Sequence, residues 1–308
     1  MSPHSRLGLG TLIALCLAIF LARLIHGQAI YTVFSDIPTQ TQSKALQIIV
    51  NNRLKDQKGD FAIVIENIQT KEQYHFNSQK LFPSGSFYKL VLIASVYKEL
   101  AKGSLTKETI LSASKDYLTE SFGAVDFGYE NFSGPITLSL QDALNRVAQV
   151  SDNFAAIMLT DKVRELTSNQ QEPLAQMAQD LGLKDTHFGQ PETTALDTAH
   201  FFRLLSEGKV LSPAASQEII DLLASSQINN RIPSLLPQIE STVGGQPKRV
   251  KVAHKTAELP GLRHDGGIVF LPNNPYIIVL MSKNVQFEDD TVELLANLSK
   301  DVYDYFAK

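Results

Sequence analysis

Residues 83–103 read PSGSFYKLVLIASVYKELAKG. Pro83-Ser84-Gly85 punctuates the chain and Gly103 closes the stretch. Between them Phe87, Leu90, Val91, Ala94, Val96 and Tyr97 predict a strongly buried helix beginning at Ser86. Ser86 and Lys89 then share a face, one turn apart. A serine at a helix N-terminus gains from the helix dipole, and the free N–H groups there can hold an oxyanion. It still needs a base. A lysine pressed against an apolar face loses its proton more easily than one in water. Taken alone, the pair is better read as an N-cap beside a surface lysine. The Ser-x-x-Lys pattern recurs at Ser104–Lys107 and Ser112–Lys115, but in polar surroundings that open no buried helix.

Upstream, residues 40–55 have helical spacing of Leu46, Ile49, Val50 and Leu54. A turn at Gly59-Asp60 precedes a buried strand over 61–68, and Gln69-Thr70-Lys71 turns it back along 73–76. Downstream, residues 104–225 read as helices with loops, clearest over 138–148, 154–166 and 194–205. Strand-like segments follow at 250–256, 267–271 and 276–281, and an amphipathic helix over 291–306 closes the chain. No repeat or low-complexity linker is visible. Strands at both ends and helices between them predict one antiparallel sheet with a helical lobe inserted. That is a two-lobed α/β (α+β) domain over 30–308. Its α/β lobe would be about 30–85 and 210–308, and its helical lobe about 86–209.

The composition is ordinary for a globular protein of 308 residues: 44% hydrophobic, 19% charged. The net charge of −4 removes the electrostatic basis for general nucleic-acid binding. Cys16 is the only cysteine, which rules out an intramolecular disulfide framework and a cysteine-ligated zinc site. It lies in the apolar run 7–21, LGLGTLIALCLAIFL, preceded by Arg6 and followed by Arg23 and Gly27-Gln28-Ala29. Residues 1–29 read as a secretory signal, with an uncleaved anchor over 7–25 as the alternative. Leu15 before Cys16 argues against a lipidation site. Without residues 1–29 the chain keeps 26 basic and 32 acidic residues, a net −6. An exported, acidic envelope protein is expected, acting as a monomer.

Two more short motifs matter. Ser151-Asp152-Asn153 separates two of the expected helices, where all three residue types cap well. Lys255-Thr256-Ala257 ends a late strand. Each has a bland reading by itself. Together, and in this order, the three motifs resemble the penicillin-recognising serine hydrolases, most closely the class A β-lactamases. The resemblance covers roughly residues 40–308 and includes the Thr193-Thr194-Ala195-Leu196-Asp197 helix start. It implies the β-lactamase/DD-peptidase fold. It also implies that Ser86 is acylated, that Lys89 accepts its proton, and that Ser151 relays a proton to the leaving nitrogen. Asn153 would bind the substrate's side-chain amide and help hold Lys89. Lys255 and Thr256 would bind the substrate carboxylate, and the backbone N–H groups of Ser86 and Glu258 would form the oxyanion hole. A lactam or D-Ala-D-Ala amide needs this set: nucleophile, shuttle, anion anchor and two donors.

Three departures stand out. Ala257 replaces the family's usual glycine, and its methyl beside the substrate strand would crowd the cleft or shift the oxyanion donor. The family's Glu-x-x-Leu-Asn deacylation motif is missing between Asn153 and Thr193. The stretch GLKDTHFGQPET over 182–193 is short for that loop, and its one glutamate, Glu192, reads better as a helix-start carboxylate. Arg263, after Glu258-Leu259-Pro260-Gly261, is either a second carboxylate anchor or a turn residue paired with an acid such as Asp265.

The loop FGAVDFGYENFSG over 122–134 either walls the cleft or packs its aromatics on the helical lobe. His254 should face away from Lys255 and be structural. His187, Glu192 and His200 lack metal-ligand spacing, so no metal or other cofactor is expected. The expected function is opening of a β-lactam amide through a Ser86 acyl-enzyme, with slow deacylation. The alternatives are a penicillin-binding DD-carboxypeptidase or endopeptidase on peptidoglycan, and a non-catalytic envelope-binding protein on the same fold.

Overall fold

A computed structural model describes residues 42–167, 172–240 and 247–308, with side chains of 238–249 left aside. The signal or anchor reading of residues 1–29 lies outside the described residues. The described residues open with α1 (Lys44–Leu54), capped by Ser43 Oγ accepting from Leu46 N–H, then β1 (Asp60–Asn67), β2 (Gln73–Phe76) and β3 (Phe82–Pro83). A 3-10 turn over Gly85–Phe87 leads into α2 (Tyr88–Ala101). Next come β4 (Ile110–Ser114), α3 (Lys115–Phe122), β5 (Pro135–Ser139), α4 (Leu140–Gln149), α5 (Asn153–Leu166) and α6 (Pro173–Asp180). After β6 (Glu192–Thr193) follow α7 (Ala195–Ser206), α8 (Pro213–Leu223), β7 (Gln238–Glu240) and β8 (Pro247–Arg249). The chain ends with β9 (Val252–Leu259), β10 (Leu262–Val269), β11 (Tyr276–Lys283) and α9 (Glu288–Phe306).

The main sheet runs β2-β1-β11-β10-β9, antiparallel throughout, so both ends of the domain build it. Its central strands are buried on both faces, which explains their near-continuous apolar sequence. Alternate residues serve different cores. Ala62, Val64, Ile277 and Val279 face the large core that holds α2, α5 and α7. Ile63, Ile65, Ile278 and Leu280 face α1 and α9. A single register slip would exchange the two sets.

Three expectations need correction. The helix after Gly85 does not begin at Ser86. Gly85 takes φ +46°, in the left-handed region, and Ser86 sits in the 3-10 turn two residues before the α-helix begins at Tyr88. The middle of the chain is not all helical. β4 and β5 pair as a ribbon, Leu111 with Leu138 and Ala113 with Ile136. The ribbon is short and largely exposed, so its apolar alternation covers too few residues to stand out. Glu192 does not start a helix. It pairs with Pro83 in the β3–β6 bridge, while Thr194 caps α7 and Asp197 is its first-turn acid.

Candidate active site

Lys89 is carried into the large core by α2 and is fully buried. The loop between α4 and α5 meets it there. Asp152 holds that loop: it caps α5 at Ala155 N–H (2.8 Å), accepts from Arg146 Nε (2.6 Å) and from the buried Tyr129 hydroxyl (2.9 Å). This framework keeps Ser151 at φ +59°, a left-handed conformation that costs a non-glycine residue about 1–3 kcal/mol.

Ser151 Oγ is the hub of the site. It lies 3.0 Å from Ser86 Oγ, accepts from Lys255 Nζ at 2.8 Å and from Lys89 Nζ at 3.2 Å. Lys89 Nζ also donates to Ser151 O (2.5 Å) and Asn153 Oδ1 (2.7 Å). Lys255 Nζ donates to Thr256 O at 2.8 Å. Burial pushes Lys89 down to about 8, against the pull of Asp126 and Asp152. Burial and the nearby Lys89 charge push Lys255 well below its ordinary value, opposed by Asp265. Two buried ammoniums on one hydroxyl cannot both stay charged cheaply, so the pair titrates as a unit.

β9 is the free edge of the sheet, and the Ser86 turn packs against it. The Arg263 N–H turns to Ser282 Oγ on the β11 side (3.1 Å). The Glu258–Arg263 pair is therefore of the non-hydrogen-bonded kind, and the Glu258 N–H points outward from β10. Glu258 N is 3.7 Å from where a Gly85 side chain would begin, which puts this donor beside Ser86. A donor pair at the Ser86 and Glu258 amides can receive charge developing on a carbonyl oxygen.

The cleft cavity is about 650 Å³ and is lined by Ser86, Tyr88, Asp126, Ser151, Asn153 and Thr256 among others. Beyond Tyr88 a second cavity of about 530 Å³ shares Tyr88, Ser121, Ile157 and Pro191 with it. The short 182–193 loop lines that space through Phe188, Gly189 and Pro191.

Two of the expected site residues lie elsewhere. The Ala257 methyl is buried against Gly85 and does not line the cleft. Arg263 is tied to Glu288 and to the Leu259 (3.0 Å) and Leu262 (2.7 Å) carbonyls, so it is a turn residue paired with an acid other than Asp265. His254 faces away from the cleft, with Nδ1 2.8 Å from Asp265 Oδ1 and Nε2 3.1 Å from Asn229 Oδ1. Two residues escape sequence reasoning. Asp126 accepts from Asn153 N–H (2.6 Å) and Asn153 Nδ2 (3.0 Å). Arg231 is fully buried and ion-pairs with Glu258. Asp126 is masked by the aromatics around it. Arg231 sits in a loop, NNRIP, with no periodic signal.

The Beta-lactamase enzyme family model matches residues 44–306, and the chain belongs to that family. Its fold resembles a mutant of PBP-A captured as an acyl-enzyme complex with penicillin G. The TM-score is 0.74 and the identity 21%, over 88% of this chain and 99% of that one. It also resembles the TLA-3 extended-spectrum β-lactamase (TM-score 0.72, 20% identity, 86% and 99% covered). A third similar structure is a β-lactamase from Sphaerobacter thermophilus (TM-score 0.72, 17% identity, 85% and 96% covered). A search of curated proteins gives no match.

Proposed function

We propose that the protein is a serine hydrolase that opens β-lactam amides through a Ser86 acyl-enzyme, with slow deacylation. The observation that carries this reading is the Ser151 hydroxyl, in contact with the Ser86 hydroxyl and both buried lysines. Ser86 Oγ attacks the lactam carbonyl carbon, and its proton passes to neutral Lys89, directly or through Ser151. The carbonyl oxygen takes up negative charge between the Ser86 and Glu258 N–H groups. When the C–N bond breaks, the nitrogen takes a proton from Ser151 Oγ, which a lysine replaces. Lys255, with Arg231 behind it, supplies positive potential for a substrate carboxylate.

Slow deacylation follows from the cleft wall. Among the described residues its only carboxylates are Asp126, held by Asn153, and Glu258, paired with Arg231. A second reading, a DD-peptidase acting on peptidoglycan, is favoured by the open cavity beyond Tyr88, which lengthens the cleft enough for a peptide. Export, through removal or retention of residues 1–29, is part of either reading. Among the described residues no helix is long and apolar enough to cross a membrane.

An intact-mass time course with benzylpenicillin, run beside Ser86→Ala, tests the proposal. A penicilloyl adduct on the wild type and none on the variant is expected, clearing slowly as drug is consumed. A permanent adduct with D-Ala release from peptides would select the DD-peptidase. Absence of any adduct would overturn the β-lactam reading and leave another ester or amide substrate, or a binding protein.

The pH dependence has a definite sign. The base must be neutral, and Lys89 is charged below about 8. Acylation should therefore rise with pH through about 8 and level off above it. Stopped-flow acylation between mildly acidic and alkaline pH checks this, and a flat profile would exclude Lys89 as the base.

A further inference from the structure

Among the described residues, Asp126 is the cleft-wall carboxylate without a cation within ion-pair distance. The other carboxylate lining the cavity, Glu258, is matched by Arg231. Asp126 is half-buried, and among the described residues no Lys, Arg or His nitrogen lies within ion-pair distance of it. Its Oδ2 accepts from Asn153 N–H at 2.6 Å and its Oδ1 from Asn153 Nδ2 at 3.0 Å. Each oxygen keeps one acceptor site free. The two bonds also fix the amide of Asn153, so that Oδ1 faces Lys89 while Nδ2 faces the cleft wall.

We infer that Asp126 makes the site selective for substrates bearing a protonated primary amine beside the amide carbonyl on the acyl side. This rests on the proposed function and on the role in binding the substrate's side-chain amide that the family resemblance implies for Asn153. An ammonium on the next carbon would then lie against the free acceptor sites of Asp126. It would meet a negative charge in a partly desolvated wall, where charge pairing is worth more than in water. Aminobenzylpenicillin (ampicillin) has this chemistry and differs from benzylpenicillin by that one amino group.

The test compares second-order acylation rates of the two penicillins at a pH near 6.5, where an α-amino group is protonated. It uses the wild type and Asp126→Asn, which keeps the shape and one acceptor for Asn153 N–H. In the wild type aminobenzylpenicillin should react faster, and the ratio of the two rates should fall about tenfold in the variant. The ratio matters because a merely positioning role, through Asn153 or the charge on Lys89, slows or speeds both drugs alike. An unchanged ratio would overturn the inference, whether or not both rates drop. No acylation by either drug would instead remove the proposed function itself, and the inference with it.

Discussion

Lys89→Met should lower the acylation rate by about a thousandfold, while leaving the melting temperature unchanged or higher. Lys89 is completely buried in α2, and its ammonium is the group that pulls Asn153 Oδ1 and Ser151 O together. Burial of that charge is a cost to the fold, as its lowered proton affinity shows. Methionine fills nearly the same volume without a charge to desolvate, at the expense of two unpaired oxygens. The two changes roughly offset. Activity has no such compensation, because among the described residues no other base is placed beside the Ser86–Ser151 pair except Lys255, which is expected to hold the substrate carboxylate. Stopped-flow acylation and a thermal melt on the same preparation read both quantities. Retention of more than a tenth of the wild-type rate would assign the base elsewhere.

Asp265→Ala should cost about 3–5 kcal/mol of stability, the range for leaving a buried charge partner uncompensated. Asp265 is fully buried in β10. Oδ1 meets His254 Nδ1 at 2.8 Å, and Oδ2 accepts the Ile232 N–H at 2.9 Å. Alanine would orphan both groups and open a cavity. The damage would reach the site, because Ile232 adjoins the buried Arg231, and the Asp265 charge helps keep a proton on Lys255. Asp265→Asn, which still offers an acceptor to Ile232, should lose less. Urea denaturation gives the answer in the midpoint. A loss below about 1 kcal/mol for alanine would show that the loop from Asn229 to Ile232 is held by other contacts.

The sheet and the helices that carry chemistry are legible in the sequence because local pattern expresses them. The apolar faces around Leu90 and Phe154 are long enough to show a helical period, and β1 and β11 are long continuous apolar runs. Ser86, Lys89, Ser151, Asn153 and Lys255 are legible only as three motifs with the right neighbours. Their convergence on one hydroxyl comes from tertiary packing, with Lys255 and Ser151 104 residues apart. Asp126 and Arg231 are invisible for the same reason. Each is a lone charged residue in a loop, and its meaning depends on what the fold sets opposite it. The β4–β5 ribbon and the bridge at Glu192 are missed because strands of five and two residues offer almost no period.

The contact between Gly85 and Ala257 restricts how this chain can change over generations. A side chain begun at Gly85 would come within 3.1 Å of the Ala257 methyl, and the left-handed backbone at Gly85 already disfavours one. The alanine in the third motif therefore narrows a route that glycine there would leave wider. A lineage or library that diversifies the residue before the nucleophile meets both the left-handed backbone there and a tight contact at position 257, which must give by a few tenths of an ångström beside the Glu258 amide.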